Sequence, residues 1–369
     1  MRILADIRLL SRGGTSGIEE YTKNLITSLL TLDNKNQYSL FYNGLRKSSI
    51  ANYKLPIAEI MDWKIPNKVL DLSTRFLGFP AVDQFIKSDL IFSPHFNILK
   101  TKKAPRVITF HDLSFLHHPQ FFSWKQKFWH WLQDIKTQAR EAAKIIAVSE
   151  FTKSDLINLL GISPEKIQVI YSGISREFRK IASPPARNDR KPYILYLGTL
   201  EPRKNVPAII RAFNLLKTKS LFKDWQLIIA GRPGWLYKNI LREVKNSPFH
   251  ADIILKGAVT AEERVLLYNL AEVFIYPSFF EGFGFPPLEA QASGCPVIVS
   301  DRTSLPEVIG DSGLLVNPWK PAELAEAVQS VAENEDLKLK MIQAGIKNAQ
   351  RFSWRKTAEQ TLEVFNNAR

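Results

Sequence analysis

Two carboxylates eight positions apart, Glu281 and Glu289, bracket a glycine turn in PSFFEGFGFPPLEAQASGCPVIVS, residues 277–300. A strand ending near Tyr276 runs into Gly282, Phe283, Gly284 and Phe285 and then into a helix, with Pro287 suited to its first turn and Gly294 to its end. Such a junction turns backbone N–H groups and the positive end of a helix dipole toward the carboxyl edge of a sheet, where doubly wound folds hold phosphates. Both carboxylates can then face one ligand across the glycines. The plainer reading makes Glu289, in the first helical turn, a partner of the dipole and Glu281 a surface loop residue.

Arg203 and Lys204 stand in YLGTLEPRKNVPAIIRAF, residues 196–213, after strand 193–197 and Gly198 and just before a helix that begins near Val206 or Pro207. A guanidinium fork and an ammonium placed there neutralise a diphosphate leaving group; elsewhere, adjacent basic residues in a loop are simply solvated. A second glycine loop, LLSRGGTSGIEEYTKNLI at 9–26, brings Gly13, Gly14 and Gly17 before a helix. Its spacing is neither a Walker loop nor a dinucleotide fingerprint, which argues against nucleoside triphosphatases and NAD enzymes. In VITFHDLSFLHHPQFF, residues 107–122, His111 follows the last strand residue, placed to hydrogen-bond a sugar hydroxyl or to move a proton. A zinc site of His111, His117 and His118 lacks a helical H-E-x-x-H or a cysteine partner. The chain also contains no Asp-x-Asp, so phosphate charge falls to loops and basic residues, and neither metal nor cofactor is expected.

These residues need strands to end where they begin. Short β-branched or aromatic runs alternate with helical-period stretches, the pattern of a sheet covered by helices on both faces. One set of strands falls at 2–8, 38–43, 89–92, 106–110 and 144–148; another falls at 167–170, 193–197, 225–230, 252–255, 273–276 and 297–299. ASPPARNDRKP, residues 182–192, holds three prolines and dense charge and is placed as the domain boundary. A chain of 369 residues suits two such units. Domains are therefore set at 1–181 and 193–350. A final amphipathic helix within 351–369 presents Ala358, Thr361, Leu362 and Phe365 and is expected to cross back to the first domain.

Composition excludes a disordered scaffold: 45% of residues are hydrophobic and 23% charged. The single cysteine, Cys295, forms no internal bridge and suits a reducing compartment; Asp6 and Arg8 break the apolar run a signal peptide would need. The cytoplasm is the expected location. A net charge of +14 asks for an acidic counterpart, and it is uneven: residues 1–186 carry 26 Lys+Arg against 16 Asp+Glu, residues 187–369 carry 24 against 20. Nucleic acid is set aside because no DNA-reading module or aromatic–basic RNA motif occurs. An anionic membrane surface fits FFSWKQKFWHWLQDIKTQAR, residues 121–140, where Trp124, Phe128, Trp131, Leu132 and Ile135 follow helical spacing among Lys125, Lys127, Lys136 and Arg140, with KTKKAPR upstream at 100–106. The alternative is that this stripe packs on the first domain's own sheet.

Together these residues resemble the retaining glycosyltransferases of the GT-B fold, specifically the family 4-like group that includes bacterial mannosyltransferases, glycogen synthases and sucrose synthases. The resemblance covers nearly the whole chain, and its most specific element is the E-x7-E signature, here Glu281 through Glu289. GTLEPRKN, HDLSFLHHPQFF and IIAVSEFTKSDL look like a bacterial branch that assembles lipopolysaccharide or capsule, often described as mannosyltransferases. The resemblance implies an α/β chain of two Rossmann-like domains facing across a cleft, an acceptor-side domain first and a sugar-nucleotide domain second. It implies that Glu289 binds the donor ribose, Glu281 the donor sugar, the backbone of Gly282, Phe283, Gly284 and Phe285 the sugar and phosphates, and Arg203 and Lys204 the diphosphate. The Gly14 amide would approach the diphosphate, His111 the transferred sugar, and the loop from Gly257 the base. Many members carry Arg directly after the glycine matching Gly198; this chain has Thr199, leaving that phosphate contact to Arg203. The implied reaction is hexose transfer, mannose from GDP-mannose favoured, to a glycan or lipid-linked acceptor with retained configuration. The departing diphosphate takes the acceptor proton. Double displacement through Glu281, a sugar-nucleotide epimerase and a non-catalytic sugar-nucleotide-binding protein are the alternatives.

Overall fold

A computed structural model describes residues 1–12, 16–43, 58–179 and 191–368, and the chain divides into two compact units, Met1–Gly173 with Phe352–Arg369, and Ile174–Arg351.

Among its described residues the first unit holds seven parallel strands, β1 (Arg2–Asp6), β2 (Gln37–Phe41), β3 (Glu59–Met61), β4 (Leu90–Ser93), β5 (Arg106–Phe110), β6 (Lys144–Ala147) and β7 (Ile167–Val169). They lie in the order β3-β2-β1-β4-β5-β6-β7. Its helices are α1 (Gly17–Leu32), α2 (Asn67–Leu77), α3 (Ser114–His117), α4 (Trp124–Leu132), α5 (Ile135–Glu141) and α6 (Glu150–Leu160). β4 and β5 are buried along their whole length, as parallel strands covered on both faces must be, and Phe96, Ile108, Phe110, Ile145 and Leu156 form part of the core beside them. The segment at 167–170, grouped by sequence with the later strands, is β7 of this sheet: it follows the crossover helix α6 and pairs with β6 at Ile145↔Ile167. β3, which sequence reading missed, has only three residues, too few to show a period.

The predicted helix at 121–140 breaks in two. Asp134 takes the left-handed conformation (φ 48°) between α4 and α5. Leu132 and Ile135 are buried, whereas Trp124, Phe128 and Trp131 are 72%, 51% and 53% exposed, so core packing holds for the two aliphatics and fails for the three aromatics. Beside α4, helix α2 is turned inside out. It buries Leu70, Asp71 and Thr74 and leaves Phe76 and Leu77 63% and 77% exposed. The cause is the buried Arg8 guanidinium, which pairs with Asp6 at 2.8 Å and with Asp71 at 3.6 Å and so draws the polar side of α2 inward. The rings of Phe76 and Trp131 lie 6.2 Å apart, and Arg75, paired with Asp134, sits 5.5 Å over Trp131.

The second unit repeats the plan with β8 (Tyr193–Leu197), β9 (Gln226–Ala230), β10 (Ile253–Gly257), β11 (Val273–Tyr276), β12 (Val297–Ser300) and β13 (Leu314–Val316), ordered β10-β9-β8-β11-β12-β13 and all parallel. Helices α7 (Val206–Lys217), α8 (Lys238–Asn246), α9 (Ala261–Leu270), α10 (Phe285–Ala292), α11 (Leu305–Ile309), α12 (Pro321–Glu333) and α13 (Glu335–Ala349) connect and cover them. The last helix, α14 (Trp354–Asn366), belongs to the first unit and packs on α1. Phe365 meets Phe92 of β4 at 5.0 Å, and the Thr357 hydroxyl donates to the Tyr171 carbonyl at 2.9 Å. A Cβ on Gly173 would stand 2.1 Å from the Trp354 nitrogen, so only glycine lets these two segments touch. Among the described residues no helix is long and apolar enough to cross a membrane.

Candidate active site

In a doubly wound sheet, ligands bind beyond the carboxyl ends of the strands where the order reverses. In the second unit that point lies between β8 and β11, and the two loops leaving it carry Arg203, Lys204 and Glu281. The first loop passes through a tight turn at Pro202–Lys204 and reaches α7 through Asn205 (φ 56°). Asparagine tolerates that left-handed conformation, and its amide donates to the carbonyls of Pro277 (3.2 Å) and Pro318 (2.6 Å). The Arg203 carbonyl accepts from the Phe279 N–H at 2.8 Å. The two loops are thereby stitched together at the backbone.

Lys204 and Glu281 are both buried. The Lys204 ammonium donates to Glu281 Oε1 at 2.5 Å and to the Tyr276 hydroxyl at 2.8 Å, and Ser278 donates to the same Oε1 at 2.6 Å. Burial alone would raise the Glu281 pKa; the charges of Lys204 and Arg203 and the two hydrogen bonds overcome it and hold the carboxyl below its ordinary value. Oε2 accepts no hydrogen bond among the described residues, which leaves it for a ligand hydroxyl. Arg203 donates to Glu201 at 2.5 Å. The glycine turn is latched from the loop after β12: the Glu281 N–H donates to Thr303 Oγ1 (3.0 Å), and the Ser304 hydroxyl lies within donating distance of the carbonyls of Glu281 (2.9 Å) and Phe283 (3.0 Å). Gly284 has φ 107°, and a Cβ there would meet Leu305 at 2.7 Å.

Helix α10 starts at Phe285, so Pro286 and Pro287 remove two of the four amides that a helix N-terminus usually offers an anion, leaving Phe285 and Leu288. It also places Glu289 in the second turn. There it does not serve the helix dipole, as the plainer sequence reading had it, but accepts from Arg264 at 3.1 and 3.4 Å and from the Tyr268 hydroxyl at 2.9 Å. Arg264 and Tyr268 are four residues apart on α9 and so share a face. Neither was singled out from sequence. Their spacing was visible, but their partner lies 25 and 21 residues away.

His111 belongs to the first unit, just after β5. Its Nε2–H donates to the Pro94 carbonyl at 2.8 Å, beyond the end of β4. Burial pushes its pKa down to about 4, so the ring is neutral at pH 7, with Nδ1 as its acceptor. The Tyr21 ring meets it edge-on at 4.6 Å. His117 bonds instead to Asp155 at 2.9 Å and His118 faces Gln120, so the three histidines are turned to separate partners. Gly14 lies outside the described residues.

Residues 15–178 match the family described as Glycosyltransferase Family 4, and residues 177–348 match Glycosyl transferases group 1. The O-antigen chain mannosyltransferase B of Escherichia coli is 31% identical over 268 residues, which cover 70% of this chain and 69% of that protein. The serotype-specific mannosyltransferase WbdA of Escherichia coli is 29% identical over 69% of this chain, a match that spans only 32% of WbdA. Anabaena Alr3699/HepE, solved in complex with UDP-glucose, superposes with a TM-score of 0.75 at 19% identity, covering 100% of both chains. With two parallel α/β sheets and the E-x7-E pair spanning the loop after β11 and the helix α10 that follows it, the chain belongs to the group 1, family 4 glycosyltransferases of the GT-B fold.

Proposed function

We propose that this chain is a retaining hexosyltransferase that moves mannose, from GDP-mannose in the first instance, to a glycan or lipid-linked acceptor in cell-surface polysaccharide assembly. The observation that carries the reading is the buried Lys204–Glu281 pair, with Arg203 beside it, at the strand-order reversal of the second sheet. Mannose is supported by the names of the relatives, and a sugar-nucleotide donor by the HepE complex.

Arg203 and Lys204 take the diphosphate, with the backbone from Gly282 to Phe285 around it. Oε2 of Glu281 accepts a hydroxyl of the transferred sugar, and Glu289 takes the ribose. His111, neutral and already donating at Nε2, holds a sugar hydroxyl at Nδ1 and is not a proton source. The bond from C1 to the diphosphate breaks, the acceptor oxygen bonds to C1 on the same face, and the acceptor proton passes to the departing diphosphate, whose charge the two cations offset. Double displacement suits Glu281 less, because Lys204 and Ser278 both engage its Oε1.

The test is incubation with GDP-mannose, UDP-glucose or ADP-glucose and a glycan acceptor, with the product anomer read by NMR and the nucleotide preference by thermal shift. Mannose transfer with retention, at an unchanged rate in EDTA, is expected. An inverted product, or activity lost to chelator and restored by magnesium or manganese, overturns the mechanism. An altered sugar with free nucleotide and no acceptor marks an epimerase, and binding without turnover marks a non-catalytic protein.

The same reading places the first unit against an anionic membrane. The exposed aromatics of α4 adjoin the outward apolar face of α2, and exposed Lys68, Lys125, Lys127 and Lys136 lie on these helices and the start of α5. Each basic residue near such a surface contributes about 1 kcal/mol. Wild type is expected to sediment with anionic vesicles at low salt, and a Lys102/Lys103/Lys125/Lys127→Glu variant is not. Equal recovery of both proteins with anionic and neutral vesicles rejects the membrane.

A further inference from the structure

The loops that leave the carboxyl ends of the six strands in the second sheet carry five cations: Arg203 and Lys204 after β8, Arg232 after β9, Arg302 after β12 and Lys320 after β13. Four of them are matched by a carboxylate. Arg203 pairs with Glu201 at 2.5 Å, Lys204 with Glu281 at 2.5 Å, Arg302 with Asp301 at 3.0 Å and Lys320 with Glu323 at 3.8 Å. Arg232 is exposed and has no side-chain partner among the described residues. Arg203 and Lys204, with Glu201 and Glu281 behind them, therefore make a group of no net charge. A nucleoside diphosphate is an anion and gains charge as its bond to C1 breaks, so the Coulomb balance calls for one more cation.

Backbone pairing sets Arg232 beside that group. β8 and β9 pair from Tyr193↔Gln226 to Leu197↔Ala230, and the same offset continues past their ends, where Leu200 bridges Pro233. The Leu200 N–H donates to the Arg232 carbonyl at 2.9 Å, and the Gly234 N–H donates to the Leu200 carbonyl at 3.0 Å. This register puts Arg232 opposite Thr199 and Gly234 opposite Glu201, and side chains that face each other across a parallel ladder share one side of it. Gly234 marks that side: a Cβ there would meet Thr199 Cγ2 at 2.9 Å and Glu201 Cβ at 3.2 Å. Arg232 thus stands in the row of Thr199, which is uncharged, and of Glu201, which holds Arg203. Gly231 fixes how closely the loop approaches, since a Cβ on it would come within 1.8 Å of the Gly198 carbonyl oxygen.

We propose that Arg232 is a further binding residue of the donor, its guanidinium donating to diphosphate oxygens whose charge Arg203 and Lys204 leave unmatched. The inference rests on the reading of Arg203 and Lys204 as the diphosphate site and adds the cation that gives the site a net positive charge. Arginine suits the task, because its planar fork offers two parallel N–H groups to one phosphate and its charge does not titrate. Arg232 gives up no carboxylate when it turns to the ligand, whereas Arg203 shares its charge with Glu201.

The experiment is calorimetric titration of the whole chain with GDP and UDP and with GMP and UMP, for wild type, Arg232→Gln, Arg232→Lys and Arg242→Gln. Arg242 is an exposed cation on α8 and controls for the loss of charge alone. Thermal melts check that each variant is folded. Wild type is expected to prefer the diphosphates. Arg232→Gln should weaken them by about tenfold and the monophosphates by less than about threefold, with Arg232→Lys between it and wild type and Arg242→Gln unchanged. If wild type prefers the diphosphates and folded Arg232→Gln keeps its affinity, loses both classes of nucleotide alike, or loses no more than Arg242→Gln, Arg232 is overturned as a ligand and the site at Arg203 and Lys204 stands. If wild type binds neither GDP nor UDP, or binds them no better than the monophosphates, the diphosphate reading falls and the inference falls with it.

Discussion

Lys204 and Glu281 illustrate how a site residue can be structural before any ligand arrives. Their charges are withdrawn from water and offset chiefly by each other, with Tyr276, Ser278 and Arg203 assisting, so removal of one partner strands the other, at about 3–5 kcal/mol. Lys204→Met and Glu281→Gln are each expected to lower the melting temperature, whereas Lys204→Met/Glu281→Leu recovers most of it without recovering transfer. A double variant no more stable than the singles would show that the two residues are not coupled. His111 makes a separate prediction about acid. Its folded pKa lies near 4, below the ordinary 6.5, so the unfolded chain binds a proton first as pH falls. Its burial therefore costs nothing above about pH 6.5, and stability declines between there and about pH 4, by up to about 3 kcal/mol. Glu281, whose pKa is lowered instead, loses its contribution only below its ordinary range near 4.5. Denaturant melts of wild type and His111→Gln at pH 7 and pH 5 check this: the wild type should lose more on acidification. Glu281, Glu289, Arg203 and Lys204 were legible in sequence because each pair sits on a single loop or one strand–loop–helix run. Arg264, Tyr268, Ser278 and Tyr276 were not, since what gives them meaning is a partner brought up by another element or a proton donated in the fold.

At the scale of elements, amphipathic spacing announced helices without saying which face would be buried. The stripe at 121–140 was periodic, yet a single left-handed residue, Asp134, turns its second half inward and leaves its first half outside. In α2 the apolar residues lost the competition for the interior to Asp71, because Arg8 was already buried and needed a counter-charge. The central strands were readable as unbroken apolar runs; β3 and β13, at three residues each, were not, and β7, grouped with the later strands though it lies inside the 1–181 domain, carries no mark in its run of the partner it pairs with. Exposed side chains contribute little to folding, so Trp124→Ser/Phe128→Ser/Trp131→Ser is expected to shift stability by no more than about 0.5 kcal/mol per position while recovery on anionic vesicles falls sharply. A large drop in melting temperature would mean that these rings pack in solution.

For the whole molecule, the telling contact is the one between Gly173 and Trp354. Gly173→Ala would place a methyl group 2.1 Å from the Trp354 nitrogen and 2.6 Å from the Ser353 carbonyl carbon, both backbone atoms that cannot rotate aside. A loss of about 1–3 kcal/mol in urea unfolding is expected; an unchanged midpoint would show that the contact yields cheaply. That contact also defines how the protein can be taken apart. Residues 174–351 are an uninterrupted insert, spliced into the first unit at a point where the severed ends, Gly173 and Phe352, stand almost side by side. A single cut after Gly173, the obvious way to isolate the N-terminal half, strips away α14 and bares the face of α1 that it covers. Excising the insert and rejoining the ends through a few glycines keeps every layer, and the closure costs little because the gap is short. The rejoined chain should melt cooperatively, and the simple truncation should aggregate: the two halves are modular in space, and only the excision respects that.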